Sequence, residues 1–383
     1  MEKLAINGGK PVSEKQIPIA KPLFPENTVR DITEVLQSGH VIQGSKTTQF
    51  EEEFRKSAGA KYAYAVNSGT AALHTAYASV LKPGDEVIVP DFTFIATAST
   101  VVFAGGKPVF ADIDGETLTI DVEDVKEKIT PKTKAVAPVH LFGNAADMNA
   151  LTEIAEEHDL FLVNDAAQAH GTRVDGKDVG AYDDLNCYSF YPSKTLTTSE
   201  GGLVTTNSKE LHEKGLLFRN HGQQTRYLST TLGLNYRLTE IAAVIGLNQL
   251  KMFGEFLTRR KRNAKVLTEA LSRIGGLKPQ KPGRSVDHSY SYYTVIMDLD
   301  QYRCTRDEYV DALKAENVGC MIYYPLPLSK QPALKKYGSK VKCPVAEDLS
   351  KRVFSVPVHP ALSEGDAEKV VEALKKVSSH FLK

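Results

Sequence analysis

The chain has 383 residues, 42% of them hydrophobic, enough length and apolar content for two domains around substantial cores. Its 47 basic and 47 acidic side chains cancel to a formal net charge of zero, so neither nucleic acid nor an anionic membrane is indicated as the main partner. Four widely separated cysteines (Cys187, Cys304, Cys320, Cys343) and ten scattered histidines show neither C-x-x-C nor H-E-x-x-H spacing, so no disulfide framework and no metal is expected.

Residues Met1–Ala20 mix lysine, glutamate and glycine and hold no apolar core of signal-peptide length. No uninterrupted apolar stretch nears the ~20 residues of a membrane helix, so a cytoplasmic protein is expected. Tyr62–Val66 reads as a strand, and Asn67-Ser68-Gly69-Thr70-Ala71-Ala72-Leu73 as a tight turn opening a helix over Ala71–Val80. Backbone N–H groups at that helix start, with Gly69 allowing close approach and Thr70 adding a hydroxyl, suit a phosphate; an ordinary cap is the alternative. After the strand Glu86–Pro90, Asp91-Phe92-Thr93-Phe94 puts the Phe94 ring where it either stacks on a flat ligand or joins the core.

Pro108–Ala111 and Ala135–Val139 read as strands and Ala146–Glu157 as a helix. The strand Leu160–Val163 runs into Asn164-Asp165-Ala166-Ala167-Gln168, which places an acid at the carboxyl end of a strand, where ligands bind in α/β sheets. The alternative for Asp165 is a cap on the following turn. The strand Leu185–Tyr188 leads to Ser189-Phe190-Tyr191-Pro192-Ser193-Lys194. A lysine on a loop just past a buried strand is placed as a site lysine, able to form a Schiff base with a carbonyl; taken alone, a solvated surface charge is the alternative. Leu203–Thr206 is a further strand, Lys209–Phe218 a helix, and Leu238–Ile274 a long helical region ending at Gly275-Gly276.

The domain boundary is placed there, giving a large domain over 1–274 and a small one over 275–383. The small domain is read as a strand at Tyr290–Leu299, a helix at Arg306–Glu316, a strand at Cys320–Tyr324 and a last helix at Gly365–Val377. The alternation predicts an α/β fold, a mainly parallel sheet covered on both faces, with a smaller C-terminal α+β domain. The basic runs Arg259–Arg262 and Lys335-Lys336 are read as solvated helix faces. Lys194 and Asp165 together favour pyridoxal phosphate, whose ring nitrogen a carboxylate keeps protonated so that the ring can act as an electron sink.

In this order, the four segments around Gly69, Phe94, Asp165 and Lys194 resemble a nucleotide-sugar aminotransferase of the DegT/StrS type, a pyridoxal-phosphate family of the aspartate-aminotransferase fold (fold type I). The resemblance implies that Lys194 bonds to the cofactor and shuttles the proton, and that Asp165 holds the pyridinium nitrogen. It further implies Gln168 beside the ring hydroxyl, Phe94 on the ring face, and Gly69, Thr70 and Ser189 on the phosphate. Leu234-Asn235-Tyr236-Arg237-Leu238-Thr239-Glu240 resembles the family's N-Y-R-x-T-E segment, which implies that Asn235 reaches the neighbouring subunit's cofactor in a homodimer with shared sites.

Tyr323–Pro332 resembles the H-Y-P-x-P-x-H-x-Q segment of sugar 3-aminotransferases, with Tyr323 and Ser329 where histidines are common. Tyr324, Ser329 and Lys330 of this segment are therefore substrate candidates, and Arg237 joins Lys330 as a basic side chain able to hold an anionic ligand, with structural ion pairing the alternative for each. The expected reaction moves an amino group from glutamate to C3 of a UDP-2-acetamido-3-keto hexose or hexuronic acid in polysaccharide biosynthesis. C4 amination and a scyllo-inosose-type acceptor stay open, the latter because Leu4–Pro11 is reminiscent of that branch. From another class, a catalytically inactive pyridoxal-phosphate-binding regulatory protein is the alternative, although such proteins usually lack the lysine or the aspartate.

Overall fold

Seven short apolar runs become the strands of one sheet: β1 (Tyr62–Val66), β2 (Glu86–Pro90), β3 (Lys107–Ala111), β4 (Thr133–Val136), β5 (Phe161–Asp165), β6 (Leu185–Ser189) and β7 (Gly202–Thr206). The structure is a computed structural model and describes residues 2–182 and 184–383. The strand order is β1-β7-β6-β5-β4-β2-β3; neighbours from β6 to β3 are parallel, and β7 runs antiparallel to both β1 and β6. The sheet is thus mainly parallel.

Side chains alternate faces along each strand, so each run feeds two cores. Tyr64, Val66, Val87, Val89, Val163, Leu185 and Cys187 enter one; Ala63, Ala65, Ile88, Leu162 and Tyr188 enter the other. Burial on both faces is why these runs read as continuously apolar.

Eight helices matter for the site: α1 (Ser45–Ala58), α2 (Gly69–Val80), α3 (Ala96–Phe103), α4 (Met148–His158), α5 (Glu240–Lys251), α6 (Phe253–Leu271), α7 (Arg306–Ala315) and α8 (Glu364–Phe381). Helices α2 and α3 cover the first face, and α1, α4 and α5 the second. A third core lies under the antiparallel sheet β8 (Leu277–Pro279), β9 (Tyr293–Met297) and β10 (Val353–Val356), order β8-β9-β10. Helices α7 and α8 pack on it, and it draws residues from both sides of Gly275: Leu4, Ile17, Ala264, Leu267 and Leu271 join Val295, Leu313 and Val370. Among the described residues no helix is long and apolar enough to cross a membrane.

Two expectations differ from the structure. The helical region Leu238–Ile274 is two helices meeting at Met252 (φ −100°, ψ 0°). The turn lets α5 present Ala243 and Leu247 to the second core, while α6 begins there with Phe256 and ends in the third core with Ala264 and Leu267. Cys320–Tyr324 is not a strand, and only Met321 pairs, with Ser355. Pro325 and Pro327 follow at once, and proline has no N–H to extend a ladder. The chain instead turns Tyr323 and Tyr324 toward the end of the large sheet.

Candidate active site

The carboxyl ends of β1, β2, β5 and β6 lie along the same edge of the sheet. There β1 and β6 both stop opposite the first residue of β7, with Val66 and Ser189 each paired to Gly202. The N-terminus of α2 drops into this notch. A Cβ on Gly202 would lie 2.1 Å from the Ser68 carbonyl oxygen, and one on Gly69 would lie 2.6 Å from the Ser189 Cβ. Only glycine at both positions lets the helix start lie against β6. Ser68 caps the helix by accepting the Ala71 N–H at 3.1 Å. Gly69 and Thr70 are then the first-turn residues, whose N–H groups have no intrahelical acceptor, and they share the notch with Ser189.

Asp165 ends β5 and is 5% exposed. Its Oδ2 accepts the Thr97 hydroxyl at 2.8 Å and its Oδ1 accepts the Ala167 N–H at 3.1 Å. Burial raises its pKa, opposed by Thr97, Ala167 and the charge of Lys194. No cation among the described residues forms an ion pair with it, so this carboxylate has acceptor capacity for a charged N–H.

Lys194 is half-buried, its backbone N–H donating to the Tyr191 carbonyl at 2.9 Å. Its Nζ lies 5.6 Å from the centre of the Tyr292 ring, and the Tyr292 hydroxyl is 2.7 Å from the Ser193 Oγ. The tyrosine therefore holds the lysine loop from the C-terminal side.

Gln168 accepts the Phe142 N–H through Oε1 at 2.8 Å and donates through Nε2 to the Tyr324 hydroxyl at 3.1 Å. The Tyr324 ring lies 6.0 Å from Phe92 and 6.2 Å from Phe94 between centroids, and Phe94 remains 53% exposed. An exposed phenylalanine at a strand end presents a face for a flat ring.

The other candidates are placed differently. Asn235 and Arg237 border the α2 start: Asn67 donates through Nδ2 to the Asn235 carbonyl at 3.5 Å, and Arg237 donates to Asn220 Oδ1 at 2.7 Å. The Asn235 side chain is exposed. Ser329 is 5% exposed and gives its N–H and hydroxyl to Asp91, while the Lys330 Nζ pairs with Glu347 at 2.8 Å.

Three residues escaped the sequence reading. Thr97 sits one helical turn after Thr93, a spacing that offered a weak signal of a shared face. Tyr292 left none, because its partner Ser193 is 99 residues away. Glu240, the last residue of the N-Y-R-L-T-E segment, is buried at the start of α5. Its carboxylate accepts the N–H groups of Gly44 and Lys46 at 2.9 Å and of Thr47 at 2.8 Å, plus the Thr47 hydroxyl at 2.9 Å. One side chain thus caps another helix, α1, and ties it to the loop carrying Asn235. We predict that Glu240→Ala, which orphans these buried donors, lowers unfolding free energy by about 3–4 kcal/mol. A loss under ~1 kcal/mol in chemical denaturation would contradict that role.

Comparison with other proteins places the chain among aminotransferases. The chain is 36% identical over 345 residues to the UDP-2-acetamido-2-deoxy-3-oxo-D-glucuronate aminotransferase of Pseudomonas aeruginosa, covering 90% of this chain and 94% of the relative. It is 34% identical over 365 residues to the GDP-perosamine synthase of Vibrio cholerae, covering 94% and 98%. The solved structure of Helicobacter pylori PseC, an aminotransferase involved in the biosynthesis of pseudoaminic acid, superposes with a TM-score of 0.91 at 27% identity, covering 96% of this chain and all of that one. The family model for the DegT/DnrJ/EryC1/StrS aminotransferases matches residues 23–375, and the chain belongs to that family.

Proposed function

We propose that the protein binds pyridoxal 5'-phosphate and moves an amino group from glutamate to C3 of a nucleotide-linked keto sugar, a UDP-2-acetamido-3-keto hexose or hexuronic acid. The observation that carries this reading is the presence on one sheet edge, beside a glycine-lined helix start, of a buried Asp165 and a Lys194 that form no ion pair among the described residues. These residues fit the cofactor. The notch kept clear by Gly69 and Gly202 suits its phosphate, with the Thr70 and Ser189 hydroxyls beside it. Asp165 meets the need for an anion at the ring nitrogen, and Phe94 presents a face to the ring.

Pyridoxal phosphate, when bound, supplies the electron sink for breaking the bond from the substrate α-carbon to hydrogen. Asp165 holds the proton on the ring nitrogen. Lys194 Nζ takes the proton from the α-carbon of glutamate and returns one at the sugar carbon, acting as base and then as acid. Gln168, fixed at both ends by Phe142 and Tyr324, orients the ring through its hydroxyl. Tyr292 keeps the lysine over the site.

Support for a UDP-linked 3-keto acceptor comes from the Pro325–Gln331 segment and from the substrate named for the Pseudomonas relative. A GDP-linked acceptor is the second reading, favoured by the similarity to GDP-perosamine synthase. The reverse reaction separates them: 2-oxoglutarate is supplied with a panel of UDP-, GDP- and dTDP-linked 3-amino and 4-amino sugars and with scyllo-inosamine, and its consumption is measured. Preference for a UDP-3-amino sugar is expected; preference for a 4-amino sugar or scyllo-inosamine would refute the acceptor while leaving the chemistry of Lys194 standing.

We also propose a homodimer with shared sites, on the exposed Asn235 and the exposed apolar side chains Tyr227, Leu232 and Leu234 near it in the chain. Mixing inactive Lys194→Ala and inactive Asn235→Ala chains is expected to restore activity in heterodimers. An active monomer in sedimentation would end this idea.

A further inference from the structure

Two acids leaving the ends of neighbouring strands turn toward the C-terminal part of the chain. Asp91 follows β2 and is fully buried. Its carboxylate accepts the Ser329 N–H and the Ser329 hydroxyl, both at 2.6 Å, while its backbone carbonyl accepts the Leu328 N–H at 2.7 Å. Asp112 follows β3 and accepts the N–H groups of Val345 at 3.0 Å and Ala346 at 2.8 Å, in the first turn of the helix Pro344–Leu349. The segment from Tyr323 to Ala346 is thus fastened at two points to the edge that carries Asp165 and Lys194.

The Asp91 fastening is the one that reaches the site. No cation pairs with Asp91 among the described residues, and a buried carboxylate without a cation depends on its hydrogen-bond donors. Burial pushes its pKa up, and the bonds from Ser329 and the Cys343 thiol oppose that rise. Five residues before Ser329 is Tyr324, whose hydroxyl bonds Gln168 and whose ring lies against Phe92 and Phe94. Pro325 and Pro327 restrict the backbone between them, so displacement of Ser329 is transmitted to Tyr324.

We propose that Asp91 is a positioning residue for the acceptor: through Ser329 it latches the Tyr323–Lys330 loop and so fixes Tyr324, beside Gln168 and Phe94, as one wall of the acceptor pocket. This deepens the aminotransfer reading and rests on it for the identity of the acceptor. It also assigns Ser329 to the latch, with its hydroxyl turned to Asp91.

The test uses the full-length protein and three variants, Asp91→Asn, Ser329→Ala and Ser329→Thr. Without any substrate, hydrogen exchange at the Leu328 and Ser329 amides is expected to rise about tenfold in Asp91→Asn while exchange in β5 and β6 holds. Unchanged exchange would overturn the latch. With substrates, Ser329→Ala is expected to raise the KM for the amino-sugar partner about tenfold at nearly constant kcat, with the glutamate half-reaction changed less than about twofold because the Phe142 N–H still holds Gln168. Ser329→Thr, which keeps the hydroxyl, should return that KM to within about twofold of wild type. Equal losses in the glutamate and sugar half-reactions would mark a merely structural role and refute the proposal. If Asp91→Asn fails to fold, the Ser329 pair decides. If the wild type accepts no nucleotide sugar, the functional reading falls by itself, and the exchange measurement still upholds or overturns the latch.

Discussion

Lys194→Ala is expected to yield a folded protein with transamination reduced at least ~10⁴-fold, equivalent to about 5.5 kcal/mol of barrier. In the proposed reaction the covalent attachment and the proton carrier are one atom, Nζ, so both are lost together. Among the described residues Lys194 forms no ion pair, and its Nζ lies 5.6 Å from the centre of the Tyr292 ring. Truncation therefore removes no hydrogen-bond partner, though it takes away a charge that opposes the raised pKa of Asp165, and stability should change by less than ~1 kcal/mol. Two measurements check this: turnover with glutamate, and borohydride reduction of the wild type followed by peptide mapping. Labelling of a different lysine would bring down the assignment of the whole site.

Asp165→Asn is expected to cost about 10³-fold or more in rate, roughly 4 kcal/mol, with the fold kept. A neutral amide cannot hold a proton on a ring nitrogen, although its oxygen can keep the Ala167 N–H while its NH2 donates to a rotated Thr97 hydroxyl, so that no buried donor is orphaned. The loss is one of rate, not of stability. Burial raises the pKa of Asp165, so its negative charge is disfavoured in the folded chain on its own, and removing that charge relieves a desolvation cost. Unfolding transitions of the variant at or above those of the wild type, together with the drop in turnover, form the expected pair. Turnover within about tenfold of wild type, a barrier change of only ~1.4 kcal/mol, would contradict the role.

Much of the architecture was legible in short windows. The strands at Tyr62–Val66 and Glu86–Pro90 stand where the apolar runs put them, because a strand buried on both faces needs no partner to declare itself. Boundaries that depend on partners moved. Tyr290–Leu299 shrinks to Tyr293–Met297, which are the residues lying between β8 and β10, and Tyr290 itself sits at φ 51° outside the ladder. The break at Met252 had only Gly254 as a weak local signal and no proline, and the turn lies where two cores claim successive faces of one helical stretch.

For the site, the chain by itself determined which residues stand at strand ends and helix starts. Lys194, Phe94, Gly69 and Thr70 each follow a strand within a few positions and Asp165 ends one, and the rule that such positions share one edge of a parallel sheet needs only local pattern. What those residues touch was decided by the tertiary structure alone. Thr97 reaches Asp165 across 68 residues, Glu240 caps α1 across 193, and Ser329 binds Asp91 across 238. A hydroxyl or carboxylate in sequence carries no mark of its partner. Its bond is chosen by burial, which penalises any polar group left unpaired, and burial exists only once distant segments have packed. That is why Ser329 and Lys330 looked like substrate residues in the chain, whereas in the fold one is held by Asp91 and the other by Glu347.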